Sequence, residues 1–224
     1  MLASSKERLL ARLGDDELVL DVGGGAKPFA RSDWVLDLLP YDGRTPVAGE
    51  RFSRESWVQR DACDREPWPF ADGQFDFAVC SHTLEDVRDP VWICSELVRV
   101  ARAGYVEVPS RLEEQSWGVI GPWVGWSHHR WLVDVSDDAI EFVHKPHALH
   151  GREFAHFAPG FAERLSDEER VQRLWWEGSF SFGERVLMDA DEANAYLAGP
   201  IDARGGPRRG WALRRRLARW VSGA

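Results

Sequence analysis

The stretch Leu18-Val19-Leu20-Asp21-Val22-Gly23-Gly24-Gly25 constrains the fold more than any other. Four of its first five residues are apolar, a run too short for a helix and bounded by turn formers. It reads as a buried parallel strand that empties into a glycine turn. Small residues there let a ligand lie against bare backbone. The acid two positions before Gly23 separates the turn from a phosphate cradle, where a lysine or a helix N-terminus meets the anion. Asp21 favours a cation or hydroxyls instead.

With 224 residues, 44% of them hydrophobic, the chain can bury one sizeable core, and residues 1–202 are expected to form a single domain with decorations. No stretch approaches the roughly 18 apolar residues of a membrane span. Met1 to Leu13 lacks the apolar run of a signal peptide, so a cytoplasmic protein is expected. Cys63, Cys80 and Cys94 fit no metal-ligand spacing and read as buried reduced thiols. The net charge of -9 is uneven, because seven arginines from Arg204 to Arg219 follow the last acid, Asp202. The 21 basic residues before them face 37 acidic ones, a net of -16 for the body, which argues against nucleic acid as a partner.

In chain order, Ser4 and Glu7 have the spacing of a capping box ahead of a short helix ended by Gly14. Strands are expected at Trp34 to Leu39, Trp57 to Gln59, Phe75 to Cys80 and Gly104 to Val108, with a helix from Pro90 to Ala101 whose apolar stripe includes Val91, Cys94 and Leu97. Strands alternating with helices imply a parallel sheet with right-handed crossovers, whose ligands bind beyond the carboxyl ends of the strands. Asp21, Asp37, Asp61 and Ser81-His82 all fall at such ends.

These motifs resemble those of the class I S-adenosylmethionine-dependent methyltransferases. The family's acid-x-glycine-x-glycine motif stands here as Asp21-Val22-Gly23-Gly24-Gly25, its second-strand acid as Asp37 and its adenine-side acid as Asp61 beside Ala62. Phe75 to Pro90 is similar to the family's fourth strand and following loop, although Glu85-Asp86 stands where many relatives have Glu-His. The resemblance covers about residues 16 to 110. It implies a Rossmann-like, mostly parallel, seven-stranded α/β sheet with helices on both faces, the helix between the first two strands being a turn or two. It also implies a donor site of Asp21, Gly23, Gly25, Asp37, Asp61, Ala62 and Ser81. Asp37 would take the ribose hydroxyls, Asp61 the adenine amino group, and Asp21 would favour the donor's positive end. A dinucleotide oxidoreductase fits less well, since Pro28 stands where its third glycine belongs. A donor-binding regulator without catalysis is the alternative of another class.

The acceptor side falls to about residues 111–158, an aromatic-rich insertion. Trp117, Trp123, Trp126 and Trp131, interleaved with glycines and with His128-His129, suit sugar rings or an aromatic acceptor. A sugar or glycoside hydroxyl is the expected acceptor, and another natural product, methylated on N or O, the alternative. Trp117, Trp126, His128, Trp131 and His144 are the candidate contacts to it. His82 and His129 are candidates for base or acceptor positioner, and Glu114 for orienting a histidine or taking a hydroxyl proton. Asp134 and Glu114 could ligate a divalent ion such as magnesium that clamps two sugar hydroxyls, but no spacing resembles a metal motif, so no metal ligand is assigned.

Pro159 to Arg170 reads as a short helix, and Arg173 to Glu177 with Phe180 to Leu187 as a hairpin closing the sheet, within final strands over about 171–188. Trp131 to Val135 and Ala139 to Val143 then form an inserted hairpin over the acceptor site, the alternative being that this hairpin is itself the end of the sheet. A helix over Asp191 to Ala198 is expected to break at Gly199-Pro200. In the tail, residues 203–224, a basic amphipathic helix from Pro207 to Val221 is expected to dock on the acidic body or to make a homodimer contact.

Overall fold

Short apolar strands carry the architecture of the computed structural model, which describes residues 1–205. The basic helix expected over 207–221 lies outside the described residues. In chain order the elements are α1 (Ala3–Arg12), β1 (Val19–Val22), β2 (Trp34–Asp37), β3 (Trp57–Gln59), β4 (Phe77–Ser81), α2 (Pro90–Val100), β5 (Ala103–Pro109), α3 (Arg111–Glu114), β6 (Trp131–Val135), β7 (Ala139–His144), α4 (Ala148–Gly151), α5 (Asp167–Arg170), β8 (Val171–Glu177), β9 (Ser181–Glu184) and α6 (Ala190–Ala203).

The main sheet has the order β3-β2-β1-β4-β5-β8, with β8 alone antiparallel. Strand β1 is buried at every residue, and its side chains alternate between two cores. Val19 joins Phe77, Val79 and Tyr105 under Leu9 and Leu13 of the α1 segment. Leu20 and Val22 join Ala78 and Cys80 under Cys94 and Leu97 of α2. Asp89 caps α2, accepting from the Trp92 amide at 3.0 Å, with Pro90 in the first turn. Strand order reverses between β1 and β4, so the ends of those two strands flank the switch point where α/β sheets open a ligand crevice.

Several expectations are corrected. The main sheet has six strands rather than seven, because β9 leaves β8 and runs parallel to β7 in a second sheet, β6-β7-β9. Phe180 is buried with its ring 5.5 Å from Trp176, an anchor that turns the chain toward β7 instead of back along β8. The β6-β7 hairpin packs on the α2 face of the main sheet through Val133, Ile140 and Phe142. No helix forms between β1 and β2; that connection is a series of turns held by the Phe29 amide on Asp21 Oδ2 at 2.8 Å. Ser4 caps nothing, since α1 starts one residue earlier and the Ser4 hydroxyl donates to Glu168 at 2.6 Å. The segment from Pro159 to Arg170 splits into a turn at Ala162–Arg164 and α5, whose capping box is Ser166 with Glu169.

Helix α6 runs through Gly199-Pro200 instead of breaking there. Pro200 cannot donate to the Tyr196 carbonyl, and Arg111 Nη2 takes that acceptor at 3.3 Å, while Gln115 Nε2 bonds the Leu197 carbonyl at 2.8 Å. The three cysteines are buried free thiols. No helix among the described residues is long and apolar enough to cross a membrane.

Candidate active site

Two clefts open at the carboxyl ends of the parallel strands. The first, about 450 Å³, is walled by Asp21, the three glycines, Phe29 and Ser81-His82. Gly23 has φ +71°, and a Cβ there would overlap the Thr83 side chain. A Cβ on Gly24 would meet Pro28 at 2.8 Å, so these two glycines let the turn close on its neighbours. Gly25, φ +58°, faces open space, as a backbone that a ligand approaches should. Asp37 stands behind this wall and accepts from the amides of Gly25 and Leu39, both at 2.7 Å. Each of its oxygens keeps a second lone pair. Asp61 lies farther out, paired with Arg88 and accepting from the Cys63 amide at 2.9 Å. Ala62 beside it packs against the core.

Asp21 is buried, and burial pushes its carboxyl up to about 7; the Phe29 amide opposes this and the Asp37 charge adds to it. A cation in the cleft would relieve that burial cost.

The second cleft, about 360 Å³, meets the first at His82, which lines both. His82 follows β4 in a left-handed conformation, φ 53°, rare for a side-chain-bearing residue. Its Nε2 lies 3.2 Å from Glu107 Oε1 and its Nδ1 3.4 Å from Glu85 Oε1. Burial works against the charged ring, but Glu107 and Glu85 outweigh it and raise its pKa to about 9. At neutral pH His82 is therefore an imidazolium that donates and positions, with no lone pair to take a proton.

On the far wall of the second cleft, His129 stacks on Trp126 with ring centroids 5.8 Å apart and 28° between planes. Glu114, buried in α3, holds His129 Nδ1 with Oε1 at 2.5 Å and Lys145 Nζ with Oε2 at 2.8 Å. That contact leaves His129 Nε2 for the cleft. Glu113 accepts from Trp126 Nε1 at 3.3 Å and from Arg170 Nη1 at 3.2 Å, closing the rim. Glu85 is 1% exposed, lines the cleft, and neither carboxylate oxygen accepts a hydrogen bond.

The structure thus brings together Asp21, Gly23, Gly25, Ser81, His82, Trp126, His128 and His129 on the cleft walls, with Asp37 and Glu114 directly behind. It leaves out five candidates: Asp61 and Ala62 line neither cleft, and three more lie elsewhere. Trp131 is core, donating Nε1 to the Val87 carbonyl at 2.7 Å. His144 is exposed with its ring edge-on to Trp131, and Trp117 packs on the cluster of Val124 and Leu132. Sequence reasoning missed Glu85, Glu107 and Lys145. The lone charge inside the apolar run Tyr105-Val106-Glu107-Val108 was the available signal for Glu107.

Residues 20–106 match the family model described as a methyltransferase domain. A demethylmenaquinone methyltransferase of Beutenbergia cavernae is 32% identical over 111 residues, covering 50% of this chain and 46% of the relative. An uncharacterized methyltransferase of a Mycobacterium species is 36% identical over 102 residues, covering 41% and 37%. The matches therefore span less than half the length of these curated relatives. Among solved structures, an S-adenosylmethionine dependent methyltransferase from Mesorhizobium loti shares 19% identity over 50% of this chain and 56% of that one, with a TM-score of 0.36.

Proposed function

We propose that the chain transfers a methyl group from S-adenosylmethionine to a small-molecule acceptor, as residues 20–106 belong to the class I S-adenosylmethionine-dependent methyltransferases. The observation that carries this reading is His82, which together with Met1 lines both clefts, so that a donor in one and an acceptor in the other meet beside it. When bound, S-adenosylmethionine supplies the electrophilic methyl group. Asp21 faces its positive end, Gly25 admits it to the backbone, and Asp37 offers free lone pairs to its ribose hydroxyls. Asp61 and Ala62 serve the adenine end, with Ser81 on the cleft wall between.

Methyl transfer is an in-line displacement, so the protein's main task is alignment. His82, cationic and fixed by Glu107, positions the acceptor through a donated hydrogen bond. His129, oriented by Glu114, turns the lone pair of Nε2 toward the acceptor and draws on the proton of its hydroxyl. Trp126 and His128 complete the acceptor wall. The acceptor is a hydroxyl of a sugar or glycoside, since an indole face beside several hydrogen-bonding groups matches a ring with one apolar and several polar surfaces. In this reading residues 1–202 act as one catalytic unit.

A screen of sugars and glycosides for release of S-adenosylhomocysteine tests it, with turnover expected on at least one. Turnover confined to phenols or aromatic amines would move the acceptor to another natural product. Donor binding without turnover on any acceptor would favour a noncatalytic regulator.

A further inference from the structure

We infer that Asp86, His128 and His129 form a binding site for a divalent first-row transition metal, of the zinc or manganese class, on the wall of the second cleft. Each offers one ligand atom, and the three atoms lie within 4.8 Å of one another. Asp86 Oδ1 is 3.9 Å from Nε2 of both histidines. The three come from two segments, Asp86 on one and the neighbours His128 and His129 on the other, that the fold pins together, since the amides of Arg130 and Trp131 both donate to the Glu85 carbonyl, at 2.7 and 3.2 Å. The histidine loop is thereby tied to the residue next to Asp86.

Ligands about 2.0–2.1 Å from a metal at tetrahedral or octahedral angles stand roughly 3–3.5 Å apart, so closing this set takes less than about 1 Å of side-chain movement. The His128 side chain is 55% exposed and that of Asp86 39%, which leaves both free to make it.

Two further observations point to a cation. Glu114 Oε1, 2.5 Å from His129 Nδ1, fixes the tautomer whose lone pair is on Nε2, as the carboxylate behind a metal-bound histidine does. Asp86 Oδ1 is shielded from solvent yet accepts no hydrogen bond within the protein, a costly arrangement that a cation would resolve. Two imidazoles and a carboxylate suit zinc or manganese better than magnesium or calcium. The carboxylates that the sequence offered for magnesium are engaged elsewhere. Asp134 holds Arg111 and Tyr196, and Glu114 holds His129 and Lys145.

With three protein ligands, coordination positions stay open toward the cleft, where His82 and Glu85 also face. With a metal bound, His129 Nε2 would be a ligand, and the metal, in place of that lone pair, would lower the pKa of an acceptor hydroxyl. The test reads metal rather than turnover.

The test is a cobalt titration of the full chain after dialysis against chelator. Wild-type protein is expected to develop visible ligand-field absorption that saturates at one equivalent and is lost on adding zinc. Asp86→Asn and His128→Ala should each weaken cobalt binding by about tenfold or more, with circular dichroism and S-adenosylmethionine affinity unchanged. His147→Ala, outside the cluster, should bind cobalt as wild type does. Absence of saturable binding in the wild type, or equal cobalt affinity in the wild type and both cluster variants, would overturn the site and leave the methyl-donor reading intact.

Discussion

His82 Nε2 stands 3.2 Å from Glu107 Oε1, and each residue moves the other's titration. For His82, burial is outweighed by Glu107 and Glu85, and the pKa rises from 6.5 to about 9. For Glu107, burial is outweighed by hydrogen bonds from His82 and Tyr105, and the pKa falls from 4.5 to about 2. The histidine's contribution to stability is therefore complete below pH 6.5 and lost as pH rises through about 9. The glutamate's is complete above pH 4.5 and lost as pH falls through about 2. Thermal unfolding followed against pH should show an alkaline decline that His82→Gln reduces. An undiminished decline in that variant would show that the pair is not its source.

Asp21 has the same sign of linkage as His82 and the opposite sign to Glu107. With its pKa raised from 3.8 to about 7, mainly by burial, the folded state holds a proton that the unfolded state has released. Its contribution to stability falls as pH climbs through that window and is flat above it. A positive donor next to the carboxylate pulls its pKa down again, so binding should expel a proton near neutrality. Affinity for S-adenosylmethionine should strengthen from about pH 6 to about pH 8, and calorimetry in buffers of different ionisation heat should register the released proton. Asp21→Asn should abolish both effects.

The glycine turn separates packing from access. Gly23→Ala forces a left-handed alanine into Thr83, and the strain of about 1–2 kcal/mol joins an overpacking cost of about 1–3 kcal/mol. Gly25→Ala carries only the strain, because its Cβ would meet open space. Urea denaturation should rank Gly23→Ala as the less stable, while Gly25→Ala should lose donor affinity out of proportion to its stability. The reverse ranking would contradict this division.

Glu114 serves two partners, so its variants should differ. Glu114→Ala leaves the buried Lys145 ammonium without its carboxylate and should cost about 3–5 kcal/mol in a denaturant titration. The expected loss of turnover is about 10- to 100-fold, because His129 loses the group that orients it. Lys145→Met should leave turnover closer to wild type, since the bond to His129 remains.

Where the decisive interaction is local, sequence predicted the structure well. The apolar run into Asp21-Val22-Gly23 located β1 and its turn, and the apolar stripe after Pro90 located α2. Where a distant partner decides, it did not. Pro200 sits inside a helix because Arg111 takes the carbonyl that proline frees, and β9 joins β7 because Phe180 anchors on Trp176. The tryptophans divide for the same reason. Trp126 lines the cleft and Trp131 fills the core, and nothing in the spacing of the two distinguishes them. Likewise, the imidazolium character of His82 depends on Glu107, which arrives from the neighbouring strand β5.

In the proposed function the cleft at the end of β1 holds S-adenosylmethionine, with Asp37 behind its floor. Calorimetric titration of the wild-type chain and of Asp37→Ala tests it directly. One-to-one binding is expected for the wild type, weakened about tenfold or more in a variant that still unfolds cooperatively. No binding by the wild type, or undiminished affinity in folded Asp37→Ala, would contradict it.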